Sequence, residues 1–233
     1  IHVIGAGGSG TSTNSTIHIA SGSAGGYCRK NSLAVTTSSS FTVVIGAGGA
    51  PIVRAIGAGN AGGTTTVAGT GLSSTLTATG GGGGILNTYA YTVSGIGSNG
   101  DFNTTGGRGG FEKGGGAIGL AGTGNDGSGI AAGWYSLSGG CDILGDFYSS
   151  SLGQLSGSAG GGGMSQIWSS AGNVGPEVAG PLAGGCSVYK SNNSMLSGHA
   201  SIGGGGGFGY SGTSYVQTSG RGGEGCVVIQ YIP

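Results

Sequence analysis

Apolar residues fall in short runs along this chain, and each run stops at glycine or serine. Runs at residues 1–4, 16–20, 41–45, 64–68, 75–79 and 89–93 are rich in Thr, Val and Ile, which predicts strands. In Phe41-Thr-Val-Val-Ile45 and Thr75-Leu-Thr-Ala-Thr79 the alternation predicts one buried face and one solvated face. The strongest strand pattern is the last, Cys226-Val-Val-Ile-Gln-Tyr-Ile232. A strand at each end, with a glycine-rich mass between, predicts that the two ends pair in one sheet. No window of about eleven residues carries a helical apolar stripe, and Glu, Lys, Gln and Leu are scarce, so almost no α-helix is expected.

One unit repeats. Val3-Ile-Gly-Ala-Gly-Gly8 returns as Val44-Ile-Gly-Ala-Gly-Gly49, with a weaker echo at Ala55-Ile-Gly-Ala-Gly-Asn60. Each is an apolar run leading straight into glycine. From about residue 95 to 225 the texture changes. Glycine tracts at 106–110, 114–116, 160–163, 203–207 and 220–225 alternate there with aromatic and polar stretches. The organisation expected is one module over residues 1–233: a β-rich part at 1–94 plus 225–233, and polyglycine tracts with loops at 95–224.

Glycine supplies 63 of the 233 residues. Each glycine held in one conformation is less favourable than alanine by about 0.5–1 kcal/mol, so an ordered chain needs a dense backbone hydrogen-bond network to offset the loss. Disorder normally accompanies low hydrophobicity and high charge. Here hydrophobic residues are 36% and charged residues 6%, which favours order. Collagen is excluded, because glycine does not recur at every third position and only four prolines are present. The extended threefold helix remains the natural conformer for consecutive glycines; lacking internal hydrogen bonds, a buried tract must bond to neighbours on several sides. The expected fold is therefore mostly β and irregular: terminal β-strands in a small sheet or sandwich, joined to a bundle of polyglycine-II-type helices.

Charge narrows the chemistry. Seven basic and seven acidic residues give a formal net charge of zero. Arg29, Lys30, Arg54, Arg108, Lys113, Lys190 and Arg221 are scattered, so no nucleic-acid partner is expected. No apolar run approaches the roughly 18 residues that span a bilayer, and no membrane insertion is expected. The sequence opens on Ile1 without a signal-peptide pattern, which predicts a processed product, an isolated domain or the ordered part of a longer chain.

No catalytic, cofactor or metal site is expected. Residues 5–10 and 57–62 satisfy G-x-G-x-x-G, but a glycine-rich chain produces the pattern freely. No helix pattern follows, and the first acid is Asp101, so no dinucleotide site is predicted. Cys28, Cys141, Cys186 and Cys226 lack zinc-ligand spacing; they allow three disulfide pairings, among which the sequence does not choose. His2, His18 and His199 have no nearby Ser–acid partners. Asp142 and Asp146 form the closest acid pair and are expected to be solvated loop residues rather than a hydrolytic pair. The aromatics say more. Trp134, Tyr135, Phe147, Tyr148, Trp168 and Tyr189 lie among Gly, Ser and Asn, a mixture like that of an antibody paratope. Phe208, Tyr210 and Tyr215, beside the last glycine tract, are expected to cover its flank.

Several segments together resemble the glycine-rich domain found in bacteriophage tail-fibre and adhesin proteins. They are residues 3–10, Gly25-Gly-Tyr27, residues 42–49, the Leu76-Thr-Ala-Thr79 junction with the glycines at 80–84, and residues 222–231. The middle, roughly residues 85–200, is similar only in texture. It also looks like the T-even-type distal adhesins, in which glycine-rich motifs alternate with variable loops that contact the host. The resemblance implies a non-enzymatic module of the virion tail fibre, acting outside the cell. Residues 131–200 would bind a host cell-surface protein or glycan. Its other partners would be tail-fibre subunits, as a homotrimer or as a monomer on a trimeric fibre. Cysteines of a virion protein assembled in a reducing cytosol would be free. Two other classes share the texture: the glycine-rich ectodomain of anaplastic-lymphoma-kinase-type receptors, and a purely structural or ice-binding polyglycine bundle.

Overall fold

The computed structural model describes residues 1–13, 20–86, 90–110, 115–120, 122–124, 126, 128–129, 136–137, 187–190, 194–197, 199–207, 209–211 and 218–231. Among them there are fourteen short strands and no helix. In chain order the strands are β1 (His2–Ile4), β2 (Ser12–Thr13), β3 (Tyr27–Arg29), β4 (Phe41–Val44), β5 (Thr65–Gly69), β6 (Leu76–Ala78) and β7 (Gly97–Ser98). Then follow β8 (Phe102–Thr104), β9 (Ser128–Gly129), β10 (Ser136–Leu137), β11 (Ser187–Lys190), β12 (Ser194–Ser197), β13 (Gly209–Ser211) and β14 (Cys226–Val228).

Between the strands run extended glycine-rich tracts, and their hydrogen bonds repeat every third residue. Along residues 5–12 the N–H groups of Gly5, Gly8 and Thr11 donate to the carbonyls of Gly26, Ser23 and Ala20. Those of Ala6, Ser9 and Ser12 donate to Gly63, Asn60 and Gly57, and those of Gly7 and Gly10 to Gly223 and Gly220, all at 2.8–3.2 Å. Successive residues thus point to three different neighbours, which is the threefold helix expected for polyglycine. The carbonyls complete the set: Ala6 and Ser9 accept from Gly81 and Gly84, Gly7 from Gly49, and Gly8 from Gly206. Six tracts surround residues 5–12, and bonds between adjacent tracts close the ring, for example Gly62 to Gly81, Gly63 to Ala47, Gly222 to Gly49, Gly223 to Gly204 and Gly25 to Gly203.

Residues 20–26 form a second centre. Ser21 and Ala24 donate to Gly110 and Gly107, Gly22 and Gly25 to Gly206 and Gly203, and Ser23 and Gly26 to Gly82 and Thr79. Gly116 and Gly95 donate inward to Gly22 and Ala24. Burial in this lattice leaves hydroxyls to be satisfied. Ser23 Oγ bonds Thr92 Oγ1 and accepts from Gly109 N–H at 3.1 Å, so two buried side chains take part in the network rather than interrupt it.

Among the described residues, the hydrophobic clusters gather at one end. The antiparallel sheet β14-β1-β3-β8 stacks against the antiparallel sheet β4-β5-β6-β7. Val3, Cys28, Val67, Leu76 and Ala78 form the core between them, with Ile1, Phe41, Leu72 and Val227 at its margin. The opposite face of the first sheet is also covered: Ile4, Ala24, Tyr27 and Ile118 cluster there with Phe102, Leu120 and Cys226. A third, mixed sheet, β11-β12-β13-β2, sits where residues 5–12 end, and β9 pairs with β10.

The expected pairing of the chain ends is present, with Val3 opposite Val227 and Ile4 opposite Cys226. Three expectations need correction. Residues 90–93 are not a strand: Thr92 enters the bundle and donates to Gly109. The last strand ends at Val228, because residues 229–231 find no partner strand. Phe41-Thr-Val-Val-Ile45 has no clean buried face, since Val43, Val44 and Ile45 are 41%, 53% and 50% exposed. The first sheet does not reach far enough to cover this edge.

Candidate functional site

The bundle has two chemically different ends. Residues 5–12 lead away from β1 toward β2 and run antiparallel to residues 220–223, so β14, which follows them, returns to the side of β1. The first and last strands therefore share the sandwich end. At the other end β13 pairs parallel with β2, Gly209 opposite Ser12 and Tyr210 opposite Thr13, and β12 and β11 extend this sheet outward. Seven residues of threefold helix lie between Ile4 and Ser12, so eight steps of about 3.1 Å separate β1 from β2 by about 25 Å.

The segment singled out for recognition is inserted into this frame. The chain leaves the bundle past Gly124, whose N–H donates to Thr105, and Asp126, which is bound to Arg108. It returns at His199 and Ala200, both hydrogen-bonded to the backbone of Arg221. Of the six predicted contact residues, Tyr189 lies in β11 opposite Met195. Trp134, Tyr135, Phe147, Tyr148 and Trp168 lie outside the described residues, as do Phe208, Tyr215, Asp142, Asp146, Cys141, Cys186 and His18. Tyr210 is in β13.

One polar cluster at the start of the insertion was not legible in the sequence. The Arg108 guanidinium stacks 4.2 Å from the centre of the Tyr91 ring and bonds Asp126 Oδ2 through Nε at 3.0 Å and Nη2 at 2.7 Å. Asp126 Oδ1 also accepts from the Arg108 backbone N–H at 2.6 Å. An arginine that sends two N–H donors to one carboxylate oxygen while stacked on a ring holds one geometry better than a lysine would. Ser94, Thr105, Gly106, Thr123 and Gly124 line a shallow depression of about 390 Å³ beside it. The signal lay eighteen residues apart in sequence, and only the tracts of the bundle bring it together.

The remaining candidates serve the sandwich. His2 Nδ1 is 2.8 Å from the Tyr27 hydroxyl, and burial, above all, holds its imidazole below the usual range. The Tyr27 ring meets Phe102 edge-on at 6.3 Å, and Arg29 lies over Phe102, so these rings are core rather than contact surface. Cys28 and Cys226 are free; burial raises the Cys28 thiol above its ordinary value. Lys30 pairs with Asp101 at 2.6 Å across the β3–β8 edge, and Arg221 pairs with Glu224, whose Oε2 accepts from Gly48 N–H. Residues 5–10, with their G-x-G-x-x-G spacing, are walled in by six neighbouring tracts and offer no open loop to a cofactor. Among the described residues no three His, Cys, Asp or Glu side chains gather as metal ligands.

No curated protein and no solved structure matches this chain. A family model described as a glycine-rich domain matches residues 1–232, spanning the sandwich strands, the threefold tracts and the insertion alike. By that match, over nearly its whole length, the chain belongs to the glycine-rich domain family.

Proposed function

We propose that this chain is a receptor-binding module of a bacteriophage tail fibre, displayed outside the cell on the virion. The sandwich end faces the other fibre subunits, and the segment inserted between Asp126 and His199 meets a host surface protein or glycan. One observation carries this reading. The first and last strands share one end, while β11 and β12, described strands of a segment whose Trp and Tyr residues are set among Gly, Ser and Asn, join the sheet on β2 at the other. A frame whose backbone is bonded on every side can present such a segment without yielding to it. Rigid scaffolds carrying variable loops are a recurrent solution to recognition.

The test uses Trp134→Ala, Tyr148→Ala and Trp168→Ala, each assayed for cell-surface adsorption and for melting temperature. Aromatic anchors commonly lose about 2 kcal/mol of binding on truncation, roughly 30-fold in affinity. At least one variant should lose adsorption while melting like the parent. If all three adsorb like the parent, or lose adsorption only by unfolding, the module is a shaft or cap and recognition lies elsewhere on the virion.

A further inference from the structure

The sheet β4-β5-β6-β7 has two edges, and they differ. At β7 the edge is closed against the first sheet, where Ile96 bridges to Thr105. At β4 it is open. Thr70 N–H donates to the Ser40 carbonyl, and the register Phe41↔Gly69 to Val44↔Thr66 continues from that pair. Hydrogen-bonded pairs in an antiparallel ladder recur at every second residue, so Thr42 and Val44 face β5. The N–H and carbonyl groups of Phe41, Val43 and Ile45 therefore point outward, and none of them bonds to any described residue.

Among the described residues nothing guards this edge. Edge strands are normally protected by a charge, a proline or a bulge. No Lys, Arg, Asp, Glu or His occurs from Asn31 to Val53, and the only proline there, Pro51, lies well past the strand. Apolar side chains are exposed on both faces of the strand: Val43 and Ile45 on one, Val44 on the other. The outward groups also have a particular symmetry. Paired antiparallel about Val43, two copies of the strand set Phe41 against Ile45, Val43 against Val43 and Ile45 against Phe41. All three are hydrogen-bonded pairs, and the aromatic–β-branched matches are among the favourable cross-strand combinations. The two-fold axis stands perpendicular to the sheet, so the inner faces of both copies stay on one side. Phe41, Val43 and Ile45 of each copy then form one apolar strip where each alone is uncovered.

We propose that β4 pairs with β4 of a second copy of this chain, joining the two sheets into one across a two-fold axis at Val43. The occupant is a second copy because the register is self-complementary, as an isologous contact requires, and because the edge carries no charge that a different partner would match. This contact is independent of receptor binding.

Sedimentation velocity over a concentration series tests it with the parent, Val43→Lys, Val43→Glu and an equimolar mixture of the two variants. The parent should form a dimer. Each variant should melt like the parent at concentrations where the parent is monomeric, because Val43 is already half-exposed, and should sediment as a monomer, because like charges then face each other at the axis. The mixture should recover the dimer. A parent that stays monomeric throughout overturns the proposal, as does a dimer or trimer that survives either single substitution. If a variant fails to fold, amide exchange in the parent decides. Protection of Val43 and Ile45 that rises with concentration supports the contact, and exchange that ignores concentration in an assembled sample overturns it.

Discussion

At the scale of single residues, the bundle is a set of places where a Cβ cannot go. A Cβ added at Gly205 would stand 1.9 Å from the Gly22 carbonyl oxygen, and backbone held on several sides cannot retreat. Gly205→Val should cost about 4 kcal/mol or more, in the exceptional range for one substitution, read as a fall in denaturation midpoint. Gly122 is the control: nothing lies within 4 Å of its added Cβ, and Gly122→Ala should stay within about 0.5 kcal/mol of the parent. Gly203 adds a second constraint, with φ at +68° in the turn where Gly204 donates back to Ser201. A titration prediction belongs here as well. The Asp101 carboxyl is held below the ordinary carboxylate range by the Lys30 ammonium first and the Asn31 N–H second. Its folded pKa lies below its unfolded one, so its contribution is fully present above about pH 4 and disappears as pH falls through the lower folded value. Asp101→Asn should remove that contribution, lowering the melting temperature slightly in the neutral region and flattening the acid limb, so that the two curves converge at low pH.

At the scale of elements, a strand and a glycine tract are the same extended chain bonded differently. β1 exchanges bonds with two strands in one plane, and the residues after Ile4 bond to neighbours all around. The repeated Val-Ile-Gly-Ala-Gly-Gly marks this change at residues 3–8 and 44–49, where loss of the Cβ lets neighbours approach from every side. The third echo, at residues 55–60, has no strand before it and supplies only a tract, with Gly57 bridging Ser12. Protection from amide exchange should follow enclosure. Residues 5–12 and 20–26, each ringed by six tracts, should exchange most slowly, and the Val43 amide of a monomer among the fastest in its sheet. Far-ultraviolet circular dichroism should lack the paired helical minima; helix above about a fifth of residues would falsify the architecture.

At the scale of the whole molecule, stability and recognition are expected to reside in different parts. The two enclosed tracts, the sandwich and the returning residues 199–207 and 218–225 are joined by backbone bonds that do not require the identity of the insertion. Under the proposed function, exchanging residues 134–197 with the corresponding segment of another family member should move host preference with it. The melting temperature should stay near that of the parent. A chimera that melts far lower, or keeps the parental host range, would place the insertion in the frame instead.

The sequence by itself determined the conformers. Consecutive glycines allow the threefold helix and little else that can be buried; Thr, Val and Ile runs allow strands; the absence of a helical stripe leaves no third element. The pairing of the two ends was legible because an apolar run stood at each end with a glycine-rich mass between them. Short polar strands such as Ser12–Thr13 and Gly97–Ser98 were not legible, because neighbours rather than propensity make them strands. Nor were the Arg108–Asp126 clamp and the open edge at Val43. Glycine tracts look alike in sequence, so the chain does not say which tract lies beside which. Only the closed ring of backbone bonds decides that, and with it which side chains meet and which edge stays bare.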